Sequence, residues 1–150
     1  MVQKPTMVDI SSKKVVYREA VAYGRIKLRP STIAAIKEGR VEKGDPLTVA
    51  AIAGILATKQ TPILIPMCHP IEITKIDVDC FIEDNEHVAC RARVKAVART
   101  GVEMEALTAV SIALLNVWDM VKKLEKDESG LYPYTRIEEI RVESKIKREI

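Results

Sequence analysis

Ile76-Asp77-Val78-Asp79-Cys80-Phe81-Ile82, Asp84-Asn85-Glu86 and Val88-Ala89-Cys90-Arg91-Ala92-Arg93-Val94 form the stretch that decides the fold. Ile76, Val78, Cys80 and Ile82 fall on one side of the first run. Val88, Cys90, Ala92 and Val94 fall on one side of the second, the two-residue period of half-buried strands. Asp84-Asn85-Glu86 supplies the polar turn that joins them as a hairpin. Asp77, Asp79, Arg91, Arg93 and Lys95 then point outward, where opposite charges can pair across the strands. Cys80 and Cys90 point inward and read as core residues.

Upstream, Ile63-Leu64-Ile65 reads as a short buried strand. Asp45 is a good helix N-cap and Pro46 suits the first helical position, so Leu47–Lys59 is a helix, stopped by Thr61-Pro62. Arg29-Pro30-Ser31 starts a shorter helix, capped by Ser31 and closed by Gly39. Val15–Leu28, rich in Val, Tyr and Ile, is a strand with Gly24 as a bulge or bend. Residues 1–12 form a loose polar arm. Downstream, a long helix begins between Val102 and Ala106 and ends near Lys126, apolar nearly all round in its middle and therefore covered on several sides. After the loop Leu131–Tyr134, Thr135–Ile146 reads as a last strand with Ile140, Val142, Ser144 and Ile146 on one face. The order is β-α-β-β-α-β with a doubled first helix: an α+β fold, a ferredoxin-like sandwich with helices on one face of an antiparallel sheet. No repeat or second domain interrupts residues 1–150.

The 150 residues suffice for one core, and 47% apolar with 30% charged residues fits a folded globular chain. Lys and Arg exceed Asp and Glu by 24 to 21. This excess suits an anionic small molecule and falls short of a nucleic-acid signature. Aromatics are only 4% of the chain, too few for base-stacking platforms. Three cysteines without a C-x-x-C pair indicate neither a disulfide framework nor a zinc site. The N-terminus lacks the apolar core of a signal peptide. The run Ala106–Val117, broken by Thr108, Ser111 and Asn116, is too short to span a membrane. The expectation is a cytoplasmic protein.

Chemistry concentrates in Pro66-Met67-Cys68-His69-Pro70. Two prolines stiffen this turn, and stiff loops bearing polar groups are where binding resides. Adjacent residues on an extended chain face opposite ways, so Met67, Cys68 and His69 form a rigid wall rather than a paired nucleophile and base. On the long helix, Glu105, Thr108, Asp119 and Lys122 share a polar stripe at ~100° per residue. Asp119 and Lys122, one turn apart, can pair and move protons. Glu105 and Asp119 are ~21 Å apart along a straight helix, so the ligand is long or the site uses two copies of the chain. Thr100-Gly101-Val102-Glu103-Met104-Glu105 sets two carboxylates at a strand-to-helix junction, where they can also serve the helix dipole. Lys43 stands at a helix start favourable to phosphate, and Lys59 and Arg18 add positive charge. Together they imply a phosphorylated small molecule.

Met7-Val8-Asp9-Ile10-Ser11, Lys43-Gly44-Asp45, Pro66–Pro70, Thr100–Thr108 and Asp119-Met120-Val121-Lys122 resemble, in this order, the motifs of the MoaC family. The resemblance spans nearly the whole chain. It implies cyclic pyranopterin monophosphate synthesis in molybdenum-cofactor biosynthesis, a lyase reaction. The implied substrate is (8S)-3',8-cyclo-7,8-dihydroguanosine 5'-triphosphate, delivered by a radical-SAM enzyme, and diphosphate is released. It further implies a homohexamer, a trimer of dimers with sites at subunit interfaces. Carried onto matching positions, it makes Asp119 the acid/base, with Lys122 and Lys43 beside it. Met67, Cys68, His69, Met104, Glu105, Glu103, Lys59 and Arg18 become substrate-binding residues. No cofactor is required; Mg²⁺ is the natural counterion of the diphosphate, and no metal cage is visible. Met67 replaces the family's usual Leu, and Arg99 replaces a Lys before Thr-Gly, which keeps charge but changes geometry. Two other readings compete. A nucleic-acid module requires exposed strand aromatics, of which the second strand offers only Phe81. A regulatory domain would use Asp119 and Lys122 for binding alone.

Overall fold

The computed structural model describes residues 2–150. The elements run β1 (Val16–Lys27), α1 (Pro30–Lys37), α2 (Pro46–Lys59), α3 (Thr61–Leu64), β2 (Ile73–Asp84), β3 (His87–Ala98), α4 (Glu103–Glu125) and β4 (Arg136–Arg148). The strands form one antiparallel sheet in the order β2-β3-β1-β4. The helices pack on one face, as the ferredoxin-like plan requires.

The hairpin is built as its alternation predicts. Val88, Cys90, Ala92 and Val94 are fully buried, while Val78, Cys80 and Ile82 on the edge strand β2 are half covered. Asp84 closes the turn by accepting from the Glu86 amide at 2.8 Å. The outward charges pair differently from expectation. Asp77 and Asp79 lie opposite Arg93 and Arg91 in register, yet Arg93 pairs with Glu19 at 3.0 Å and Arg91 with Glu143 at 2.6 Å. The longer glutamates of β1 and β4 reach across the sheet, and Asp77 turns to Lys75 at 3.6 Å. The same arginines cover the aromatic rings of this open face. Arg91 lies over Tyr23 at 5.2 Å and Phe81 at 5.7 Å, and Arg148 over Tyr17 at 4.6 Å. Ring faces so occupied are not free to stack on bases.

α4 lies along the sheet through Ala106, Ala109, Val110, Ala113, Leu114, Val117 and Val121, all fully buried. By length and composition it could cross a membrane, but this stripe is the core of the sandwich. Two glycines let it come close. A Cβ on Gly24 would meet Val110, Leu114 and Ile140 at 2.8–3.0 Å. A Cβ on Gly54 of α2 would meet the Ala109 carbonyl oxygen at 3.0 Å.

Three local expectations are corrected. Ile63-Leu64-Ile65 is not a buried strand: Thr61–Leu64 is a single helical turn and Ile63 is 74% exposed. Pro62 starts that turn, and the Ile65 and Cys68 amides find acceptors on Thr61 and Ile65 (2.8 and 3.0 Å), so no strand partner is needed. α1 begins at Pro30 with Arg29 as N-cap, so Ser31 caps nothing. Its orphan N-terminal groups are served instead by buried Glu125, which accepts from the Arg29 amide at 3.1 Å and from the Thr32 hydroxyl. In β4, Ile140, Val142, Ser144 and Ile146 do not share a face. Bulges shift the β1–β4 register at Val21/Ala22 and at Tyr23/Arg25, leaving Val142 opposite Ala22 but Ser144 opposite Val21. Each extra residue switches the side chains behind it to the other face. Glu139 takes the positive φ of 63° at the bulge facing Gly24. Both bulges thus sit in β4, one of them opposite Gly24 rather than on it.

Candidate active site

The polar groups named from the sequence gather at the two ends of α4. At its C-terminal end, Asp119 stands between two ammonium groups. Lys43, from the loop before α2, donates to Oδ2 at 2.9 Å, and Lys122, one turn on, meets Oδ1 at 3.1 Å. All three side chains are about half exposed. Hydrogen bonds from Lys43 and then Lys122 hold the Asp119 carboxyl below the usual carboxylate range. Pairs this exposed contribute little to folding. Their consequence is chemical: an ionised carboxylate carrying two proton donors at the rim of a cleft of about 650 Å³, floored by Val41 and Met120. Asp45 caps α2 through the Leu47 amide at 3.1 Å and the Thr48 hydroxyl at 2.6 Å, which anchors the loop that presents Lys43.

At the N-terminal end, Glu105 is 1% exposed and faces the Cys-His turn. The Cys68 thiol lies 3.9 Å from its Oε2. Burial first, and then the neighbouring Glu103 charge, push the Glu105 carboxyl upward. Burial and the Glu105 charge likewise raise the Cys68 thiol. Cys68 is therefore a protonated donor beside Glu105, not a thiolate nucleophile. The His69 Nε2 proton is donated to the Val8 carbonyl at 2.7 Å, which ties the turn to the N-terminal arm. The arm is thus less loose than its composition predicts, although its described residues, 2–12, form no helix or strand. Gly101 takes no positive φ; it gives room, since a Cβ there would collide with the Glu103 carboxylate.

Three buried side-chain polar atoms lack a partner among the described residues: Arg18 Nε, Glu103 Oε1 and Glu105 Oε1. Buried polar groups are almost always satisfied, and each of these belongs to a residue singled out from the sequence for binding. Arg18 is 6% exposed and donates to the Arg99 carbonyl at 3.4 Å, immediately before the Thr100–Glu105 junction. Lys59 shares with Glu105 and Pro70 a cleft of about 600 Å³. Met67, on the Cys-His turn, and Met104, next to Glu105 on α4, are half exposed. The structure therefore assembles Cys68, Glu105 and Lys59 at one end and Lys43, Asp119 and Lys122 at the other. It does not bring the two sets together within one chain.

A family model described as the MoaC family matches residues 7–147. The chain belongs to the MoaC family. Among curated relatives, a protein of Pyrococcus furiosus named probable cyclic pyranopterin monophosphate synthase is 59% identical over 144 residues, covering 95% of this chain and 91% of its own. One of Sulfurisphaera tokodaii, with the same name, is 62% identical over 141 residues, 94% and 93% of the two chains. Another of Saccharolobus solfataricus, again so named, is 54% identical over 149 residues, 99% of each.

This MoaC-family chain also places residues at the clefts that the sequence reading passed over. Thr74 and Lys75 at the start of β2 wall the cleft of Glu105 and Lys59. Asp9 of the Met7–Ser11 motif and Arg99, both already noted from the sequence, line a cleft with His69. Lys13, Lys14 and Lys147 surround Arg18. The signal for Lys147 is strand register, which sets it opposite Arg18. Lys75 has no such signal, because only the packing of α2 on β2 brings it beside Lys59. Glu83, Asp84 and His87 also cluster within metal-binding distance at the hairpin turn. There the His87 nitrogens already meet Asp84 at 2.8 Å and Glu138 at 3.2 Å, so the group fastens the turn to β4.

Proposed function

We propose that this protein is a cyclic pyranopterin monophosphate synthase, a lyase acting on the cyclised dihydroguanosine triphosphate supplied by a radical-SAM enzyme. The observation that carries the reading is the Lys43–Asp119–Lys122 triad in a chain whose close relatives bear that name. Asp119 is the proton acceptor, ionised because two lysines surround it. Lys122 is the proton donor during ring opening and reclosure, and Lys43 accompanies the phosphates. Groups of this kind each contribute ~10²–10⁴-fold. Lys59 and Arg18 neutralise the triphosphate, with Arg99 supporting Arg18. Glu105, held toward its neutral form, hydrogen-bonds the guanine-derived ring, and Met67, Cys68, His69, Met104 and Glu103 complete the wall around it. In the closing step a ribose hydroxyl attacks phosphorus, its proton passes to the base, and diphosphate leaves. Mg²⁺ travels with that diphosphate as counterion.

The working site is assembled from two copies of the chain, in a hexamer of three dimers. Two features support this: the two polar sets stand ~21 Å apart along α4, and α2 exposes Val49, Ile52 and Leu56 in a stripe, Ile52 at 54% and Leu56 at 58%. Exposed apolar stripes of this kind mark association surfaces. Localisation in the cytoplasm accords with this biosynthetic role. The test is incubation of purified protein with the cyclised nucleotide, followed by mass spectrometry. The expected result is stoichiometric diphosphate and cyclic pyranopterin monophosphate; binding without either product would make the protein a ligand-binding domain instead.

A further inference from the structure

Cys80 and Cys90 take no part in the clefts described above. The β2–β3 register sets them directly opposite each other. Opposed residues of an antiparallel pair have Cα atoms about 4.5–5.5 Å apart, within the ~4.4–6.8 Å that a disulfide spans. Their sulfurs are 2.7 Å apart, so the side chains already point at one another. Both thiols are free in this structure. Cys68, the third cysteine, sits apart from them on the turn beside Glu105.

We propose that Cys80 and Cys90 are a cross-strand disulfide site, closed by exchange with a low-molecular-weight disulfide. Cys80 lies half covered on the edge strand, whereas Cys90 is fully buried. Cys80 is therefore the point of entry. Its thiol loses a proton and attacks one sulfur of the small disulfide, forming a mixed disulfide and expelling one thiolate, which takes up that proton. Cys90 then attacks the Cys80 sulfur, and the second small thiolate leaves with the Cys90 proton. The two cysteines are oxidised by two electrons and the small disulfide is reduced to two thiols. The adjoining Cys80 thiol, and then burial, push the Cys90 thiol upward, so the first attack falls to Cys80 rather than Cys90. The bond would staple β2, the less buried edge strand, to fully buried β3. Ile73, Thr74 and Lys75 at the start of β2 wall the Glu105 cleft, so the staple steadies that wall.

The test exposes the native protein to oxidised glutathione, then unfolds it and counts alkylated thiols by intact mass. The reduced chain accepts three labels, one on each of its cysteines. The expected oxidised chain accepts one, on Cys68. Trypsin should release Ile76–Arg91 lighter by two hydrogens, and cleavage after Glu83 should leave two linked pieces. In Cys80→Ser, Cys68 and Cys90 should both stay labelled. Amide exchange across Ile73–Asp84 should slow several-fold on oxidation, with β4 unchanged. Retention of all three labels by the native chain, or a linkage that includes Cys68, would overturn the assignment. A bond that forms without slowing exchange in β2 would overturn the stapling role.

Discussion

Asp119 and Glu105 are carboxylates on one helix with opposite settings. Lys43 and Lys122 keep Asp119 ionised, so activity should persist down to the ordinary carboxylate range, ~3.9, and fail only below it. Asp119→Asn keeps the shape and removes the base. It should leave substrate affinity within a few-fold and lower turnover by ~10²–10⁴-fold, read in a single-turnover assay; retained turnover would remove Asp119 from the chemistry. Glu105 is held toward its neutral form by burial. Because its folded pKa is raised, its contribution to stability is complete below the ordinary glutamate range and is lost as pH rises toward the folded value. Glu105→Gln mimics the protonated acid. Its melting temperature should exceed that of the natural chain at about pH 7.5 and match it near about pH 4; an equal gain at both would mean that ionisation is not involved. The same variant should keep turnover within a few-fold, because an amide can donate the hydrogen bond that the neutral acid makes to the ring; a large loss would show that the ionised form is needed. The identity of these residues was legible from spacing on the helix. Their opposite settings were not, because the Glu105 setting depends on burial beneath a turn 37 positions away.

The elements that carry these residues are held by a few specific contacts. Fully buried Glu125, at the end of α4, accepts from the Arg29 amide, the Thr32 hydroxyl and the Thr135 hydroxyl, the last at 2.6 Å. It joins the starts of α1 and β4 to the long helix. Glu125→Ala would leave these donors buried without an acceptor and should cost roughly 3–5 kcal/mol in denaturant unfolding. A loss below ~1 kcal/mol would show that water replaces the carboxylate. Gly24→Ala should cost about 1–3 kcal/mol, since its Cβ would press on Val110, Leu114 and Ile140. At this scale the sequence is read well where one period dominates. The hairpin, α2 and α4 follow from alternation, a capping Asp45 and an apolar stripe. It is read poorly where a single added residue reverses the pattern. The bulge opposite Val21/Ala22 reverses the faces of β4 between Val142 and Ser144, and nothing in residues 135–146 alone reveals that. Likewise Ile63-Leu64-Ile65 is apolar enough for a strand, but the local amide acceptors decide for a helical turn.

Across the whole molecule, the arrangement β2-β3-β1-β4 places the Cys-His turn and the Lys43 loop toward opposite ends of α4. The ferredoxin-like plan was fully legible, because hairpin, crossover helices and final strand admit few other arrangements. The candidate site was legible only as its parts. Their separation on one chain is the structural reason for proposing that a second copy completes each site. Ile52→Glu with Leu56→Glu on the exposed α2 stripe should shift the protein to smaller species in sedimentation and reduce turnover with them, while leaving the fold intact by circular dichroism; full activity in the smaller species would detach assembly from catalysis. The most direct measurement mixes two inactive variants. Asp119→Asn and Glu105→Ala chains are unfolded together, refolded and assayed for diphosphate release. Sites shared between copies predict recovered activity in the mixture, since some sites then draw a natural Glu105 from one chain and a natural Asp119 from the other. A mixture as inactive as its components, beside a natural chain that survives the same refolding, would contradict a site divided between two copies.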